Sequence, residues 1–149
     1  MKISRGILAG ILLPLLAVVF ISCDKTEGQG SSSLEPGSDE AEIIEGFICS
    51  GIFENKPTGI DNDFFPDDIV YLWLSWGNVP GNHNVQIIWL DPSDNVVSDI
   101  TESFNSKTGK AITHFFIDTT NSSPAGRWIA EVHIDDQFVR SYAFWLIEG

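Results

Sequence analysis

The sequence predicts an all-β protein, an immunoglobulin-like antiparallel β-sandwich of about seven strands, following an export signal and a flexible spacer. Three observations predict it. Beyond residue 42 the apolar residues gather in short runs rich in Val, Ile, Phe and Trp, repeating about every ten residues. Clusters of Gly, Pro, Asn and Asp, which break strands and shape turns, separate the runs. Beyond the leader, no convincing 3.6-residue period is sustained over the length of a helix. Short strands punctuated in this way describe a sandwich.

The first element is the leader. After Lys2 and Arg5 the stretch 7–21 carries no charge and is interrupted only by Gly10 and Pro14, and it ends on Ser22 before Cys23. At about 1.5 Å per residue such a helix is too short for a hydrocarbon core of about 30 Å. A basic start, a short apolar middle and a small residue at the cut make an export signal. Residues 24–42, DKTEGQGSSSLEPGSDEAE, hold one large apolar residue, Leu34. They bury too little to offset the entropy of ordering, which predicts a spacer. The expected division is signal peptide 1–22, acidic spacer 23–42 and sandwich domain 43–149.

The segment Phe20-Ile21-Ser22-Cys23 resembles the lipobox of bacterial lipoproteins. That resemblance implies that Cys23 is thioether-linked to diacylglycerol and becomes the mature N-terminus. It implies a protein of the bacterial cell envelope, lipid-anchored, with its domain on the periplasmic or extracellular side. Phe20 stands where Leu is commonest.

Charge narrows the partners. The chain has 8 Lys and Arg against 21 Asp and Glu. Cleavage removes Lys2 and Arg5, so the mature charge is 6 minus 21, or −15. Such a surface repels nucleic acid and anionic lipid, so attraction to a membrane rests on the lipid at Cys23. With Cys23 acylated, Cys49 has no thiol to pair with, and burial alone must hold the domain together. Cys49 lies in the apolar run Phe47-Ile48-Cys49, which predicts an inert buried thiol.

The strands follow in order. Residues 43–52 read as the first, and 54–59 (ENKPTG) as a turn cluster. Acids then gather at Asp61, Asp63, Asp67 and Asp68. Residues 69–76 (IVYLWLSW) are the strongest strand signal, closed by Gly77. Pro80-Gly81-Asn82 turns into 85–90. Asp91-Pro92-Ser93-Asp94 has type I turn chemistry, Asp first and Pro second, before a short strand at Val96-Val97. In 98–110 two readings stand. Val97, Ile100 and Phe104 have the spacing of a helical face, while Gly109 and the polar remainder suit a loop or ragged edge strand. Residues 111–118 are a strand and 119–125 a loop. Trp128, Ala130, Val132 and Ile134 alternate with Ile129, Glu131 and His133, the period of a half-buried strand. Asp135-Asp136 turns the chain into 138–146, with Trp128 and Phe144 expected to face the core.

Phe65-Pro66, Val70-Tyr71, His83, Trp89, Asp91-Pro92, Gly126, Trp128 and Glu131-Val132 resemble a small β-sandwich module of bacterial envelope proteins and lipoproteins. Its ending resembles G-x-W-x-V-E-V-x-x-D-G with a following S-x-x-F. Ala130 and Asp136 depart from that ending, whereas Ser141 and Phe144 keep it. The resemblance covers residues 56–146, implies the fold and carries no agreed activity.

Candidate chemistry is sparse. His83, His114 and His133 lie on separate strands or turns without zinc spacing. Asp61, Asp63, Asp67 and Asp68 offer oxygens to a metal but lack the Gly and final Glu of an EF-hand loop. Neither a nucleophile elbow nor a phosphate-cradling Gly-rich loop occurs. No cofactor is implied. The expectation is a non-enzymatic, lipid-anchored binding module that meets another envelope protein. The alternative is an accessory subunit or enzyme using a metal at the Asp61–Asp68 turn or the thiol of Cys49. Residues 69–76 locate the expected contact, because both of their alternating sets are apolar or aromatic and a sandwich strand has one core face. The surplus set, Tyr71 and Trp73, is the candidate binding patch, with the core as its competing destination.

Overall fold

The computed structural model describes residues 40–148. The expected signal, the lipid site Cys23 and the spacer up to residue 39 lie outside the described residues. The rest is all-β: β1 (Glu42–Phe53), β2 (Lys56–Ile60), β3 (Asp63–Phe64), β4 (Ile69–Gly77), β5 (Gly81–Leu90), β6 (Val96–Ser106), β7 (Ala111–Asp118), β8 (Gly126–Ile134) and β9 (Gln137–Leu146). They form two sheets, one ordered β2-β1-β4-β7 and the other β3-β9-β8-β5-β6. The chain passes between sheets after β2, β3, β4, β6 and β7. This is an all-β two-sheet sandwich, with nine strands rather than about seven.

The two extra strands come from segments that read as turns. In 54–59 only Glu54 and Asn55 turn, both at positive φ (47° and 59°), and β2 follows at once. Pro57 is tolerated there because β2 is an edge strand with one ladder to satisfy. Among the acids, Asp63 and Phe64 form β3, which lies parallel to β9, the one departure from antiparallel pairing among the described strands. The ambiguous stretch 98–110 is β6 up to Ser106, paired with β5 along its length. Ile100 and Phe104 are four apart, a spacing that serves a helix face and a strand face equally. The helical reading failed on that degeneracy.

The interior follows the period-2 pattern. Trp128, Ala130, Val132 and Ile134 of β8 are buried, as are Val85, Ile87 and Trp89 of β5 and Val70, Leu72, Leu74 and Trp76 of β4. Trp128 lies opposite Phe144 in the register, as expected. Phe144 is the hub: it stacks on Trp128 at 6.0 Å and meets Trp89 and Phe64 edge-on at 6.1 and 5.8 Å. Such pairs contribute about 0.5–1.5 kcal/mol each beyond burial. Two turns are built by short polar side chains. Asp91 begins a turn whose carbonyl accepts the Asp94 N–H at 3.0 Å, the predicted turn. Asp135 and Asp136 both take positive φ (49° and 67°), the twist that a two-residue hairpin needs.

Candidate functional site

The outer faces of the two sheets differ. On the five-stranded sheet, hydrogen bonds join Asn84 to Ser103, Asn82 to Asn105 and Gln86 to Asp99, the last two at 2.6 and 2.8 Å. The β5–β6 part of that face is a polar ladder, while its β8–β9 part exposes Phe138 and Trp145. On the four-stranded sheet, the residues alternating with the core set include aromatic and aliphatic rows, with Glu45, Ser75 and Asp118 beside them. Ile60, Cys49, Tyr71 and Phe116 form one row from β2 to β7, and Phe47, Trp73 and His114 form the next.

The expected patch faces outward, and its two members have different roles. Trp73 is only 5% exposed. Phe47 stacks on it at 6.0 Å, and its Nε1 donates to the Asn55 carbonyl at 2.8 Å, so the β1–β2 turn roofs it. Tyr71 is half-buried and packs against Phe116, centroids 5.7 Å apart. Phe116 and Ile112, which the sequence reading passed over, are 51% and 50% exposed. The signal that marks them is the alternation of Ile112, His114 and Phe116 against Thr113, Phe115 and Ile117. Two large apolar residues on the non-core side of a strand are surplus for packing. A groove of about 480 Å³ opens along β7, lined by Tyr71, Ile112, His114 and Phe116 on one side and Ile100, Glu102 and Phe104 of β6 on the other.

The remaining candidates are occupied with structure. Asp61 Oδ1 accepts the Asn62 and Asp63 N–H groups at 2.7 and 3.2 Å, and Asp68 Oδ2 accepts the Phe65 N–H at 2.8 Å. Asp67 sits at φ 72° within that turn. Among the described residues, no group of three or more His, Cys, Asp or Glu side chains is placed to hold a metal. Cys49 is fully buried, and burial pushes its thiol up in pKa, away from the reactive thiolate.

The three histidines lie on β5, β7 and β8. His83 Nδ1 is 2.7 Å from Asp135 Oδ2 and Nε2 is 3.1 Å from the Pro80 carbonyl. Both ring nitrogens are therefore engaged, and the residue staples the start of β5 to the β8–β9 turn. Burial works against the Asp135 charge, but the Asn84 N–H and His83 outweigh it and hold the carboxyl below its ordinary range. His133 lies edge-on to Phe138 with Nε2 3.6 Å from Glu131. His114 is exposed on the aromatic face.

No protein-family model matches the chain, and no curated protein matches its sequence. Some solved structures are similar to the chain. One is the Pseudomonas fluorescens alkylpurine DNA glycosylase AlkC bound to DNA containing an abasic site analog. It matches with TM-score 0.52 and 11% identity over 73% of this chain. Another is a β-glucosidase from Kluyveromyces marxianus, with TM-score 0.42 and 13% identity over 73% of this chain. The chain spans 31% of the length of the first and 14% of the second. At 11% identity the likeness to the glycosylase is one of fold.

Proposed function

We propose that this chain is a lipid-anchored lipoprotein of the bacterial cell envelope whose β-sandwich is a non-enzymatic interaction module. Its contact surface is the outer face of β2-β1-β4-β7. One observation carries the reading: that face sets Ile60, Tyr71 and Phe116 in one row and Phe47 and Trp73 in the next, with Ile60 and Phe116 57% and 51% exposed. Tyr and Phe offer large contact area with few rotors to freeze, which is what an interface core requires. The lipobox-like segment ending at Cys23 and the acidic spacer supply the anchor and reach. The acidic turn is engaged in its own backbone and Cys49 is buried, so neither favours the enzymatic alternative.

Crosslinking in native envelopes tests the reading. The full-length protein is compared with the double variant Tyr71→Ala, Phe116→Ala, whose side chains lie outside the core. The crosslinked partner should disappear from the variant while the melting temperature changes little. Retention of the partner at wild-type yield rules out this face.

A further inference from the structure

Four strands border solvent at the sheet edges: β2, β7, β3 and β6. An open edge is a template for another strand, and proteins blunt it with short strands, proline, lysine or an inward-pointing charge. Three of these edges are blunted. β2 carries Lys56 and Pro57, β3 is two residues long, and β6 has Glu102 on the side that its neighbour β5 turns to the core. β7 has none of these devices. Its eight residues, AITHFFID, pair with β4 through eight consecutive partners without a bulge. No described strand pairs with its other edge, and the groove between β6 and β7 leaves that edge reachable.

We infer that the free edge of β7 is a self-pairing surface, through which two copies of this chain join antiparallel about a twofold axis at His114. Charge chooses the register. With His114 opposite His114 of the second copy, Lys110 meets Asp118, Ile112 meets Phe116 and Thr113 meets Phe115, each pair occurring twice by symmetry. Sliding the second copy by two residues puts Lys110 against Phe116 or Thr120 and loses both charge pairs. The exposed Ile112 and Phe116 cover each other only in the centred register. Cross-strand pairs of opposite charge and of aromatic with β-branched residues are what stabilise a ladder. The result is one continuous eight-stranded sheet whose aromatic outer face spans both copies. This goes beyond the module reading above, because the edge of the sheet is used and its pairing needs no other protein.

The test uses the full-length chain in bacterial membranes. Directly opposed residues lie about 4.5–5.5 Å apart at Cα, within reach of a disulfide. His114→Cys should form a reducible dimer on mild oxidation. Ser141→Cys, exposed on the other sheet's outer face, should give no more dimer than the unmodified chain, whose Cys49 is buried. Adding Lys110→Asp to His114→Cys should lower the dimer yield about fivefold, as two attractive pairs become repulsive. Adding Asp118→Lys as well should restore it. Should His114→Cys accumulate poorly, Ile112→Cys and Phe116→Cys proteins should crosslink when mixed and not separately. Dimer at His114→Cys no greater than at Ser141→Cys overturns the inference. So does a yield that the charge reversal does not lower and the double reversal does not restore. Neither outcome bears on capture of another protein by the aromatic face, which is read from the Tyr71 and Phe116 variant.

Discussion

At the scale of single residues, period-2 alternation carried the core and nothing local carried the staple. Trp128 and Phe144 were placed inside by their own strands, since every second residue of a strand shares a face. The partnership of His83 with Asp135 spans 52 residues, and neither residue has a neighbour that announces it. Its effect is measurable through pH. The folded pKa of Asp135 lies below the unfolded value, so the stabilisation is present above the ordinary carboxylate pKa of about 3.9. It is lost as pH falls through the lower folded value. Asp135→Asn should therefore lower the melting temperature at neutral pH, and the gap to wild type should narrow as pH drops below about 4. Asp91 is also held low, chiefly by the Asn95 side chain, and it contributes to the acid limb of both proteins. The difference between the two melting curves isolates Asp135. A constant gap across the titration would show that the carboxylate charge adds nothing.

At the scale of elements, the strands with unmistakable composition were legible and those with mixed composition were not. β4 was visible because it is nearly all β-branched, aromatic or Leu. β2 was hidden behind Pro57 and Gly59, residues that signal turns everywhere except at an edge. β6 was hidden by its many Asp, Glu, Ser and Asn residues, which leave an edge strand without a clear apolar alternation. The two faces of β4 posed the harder question, and the structure answers it residue by residue. Trp73 points away from the core yet is roofed by Phe47 and the Asn55 carbonyl, so a small second cluster exists outside the sandwich. Trp73→Ala should remove that cluster and cost about 3 kcal/mol, the low end for a buried Trp. The melting temperature of the purified domain checks it. A drop confined to partner binding, with stability intact, would return Trp73 to the contact surface.

At the scale of the whole molecule, the sequence pattern accounts for the fold class and leaves the outer faces half-drawn. A pattern that alternates tells which side is core, but an outer side is read as function only when it is apolar where water is expected. That condition holds at Phe116 and Ile112 on one sheet and at Phe138 and Trp145 on the other, and it is visible only once both sheets are assembled. The same molecule carries a formal charge of −13, which as a whole repels an anionic membrane. On the proposed reading the attachment is covalent and is made at Cys23. Two or more acyl chains hold firmly where one holds marginally. Cys23→Ala should accordingly move the protein from the membrane to the soluble fraction or stall it uncleaved. Labelled fatty acid should attach to the wild type and not to the variant. Because Cys49 is buried and free, label found on the variant would point to a different attachment site and end the lipobox reading. Absence of label from the wild type would end it too, while leaving the aromatic face of the sandwich to be tested on its own.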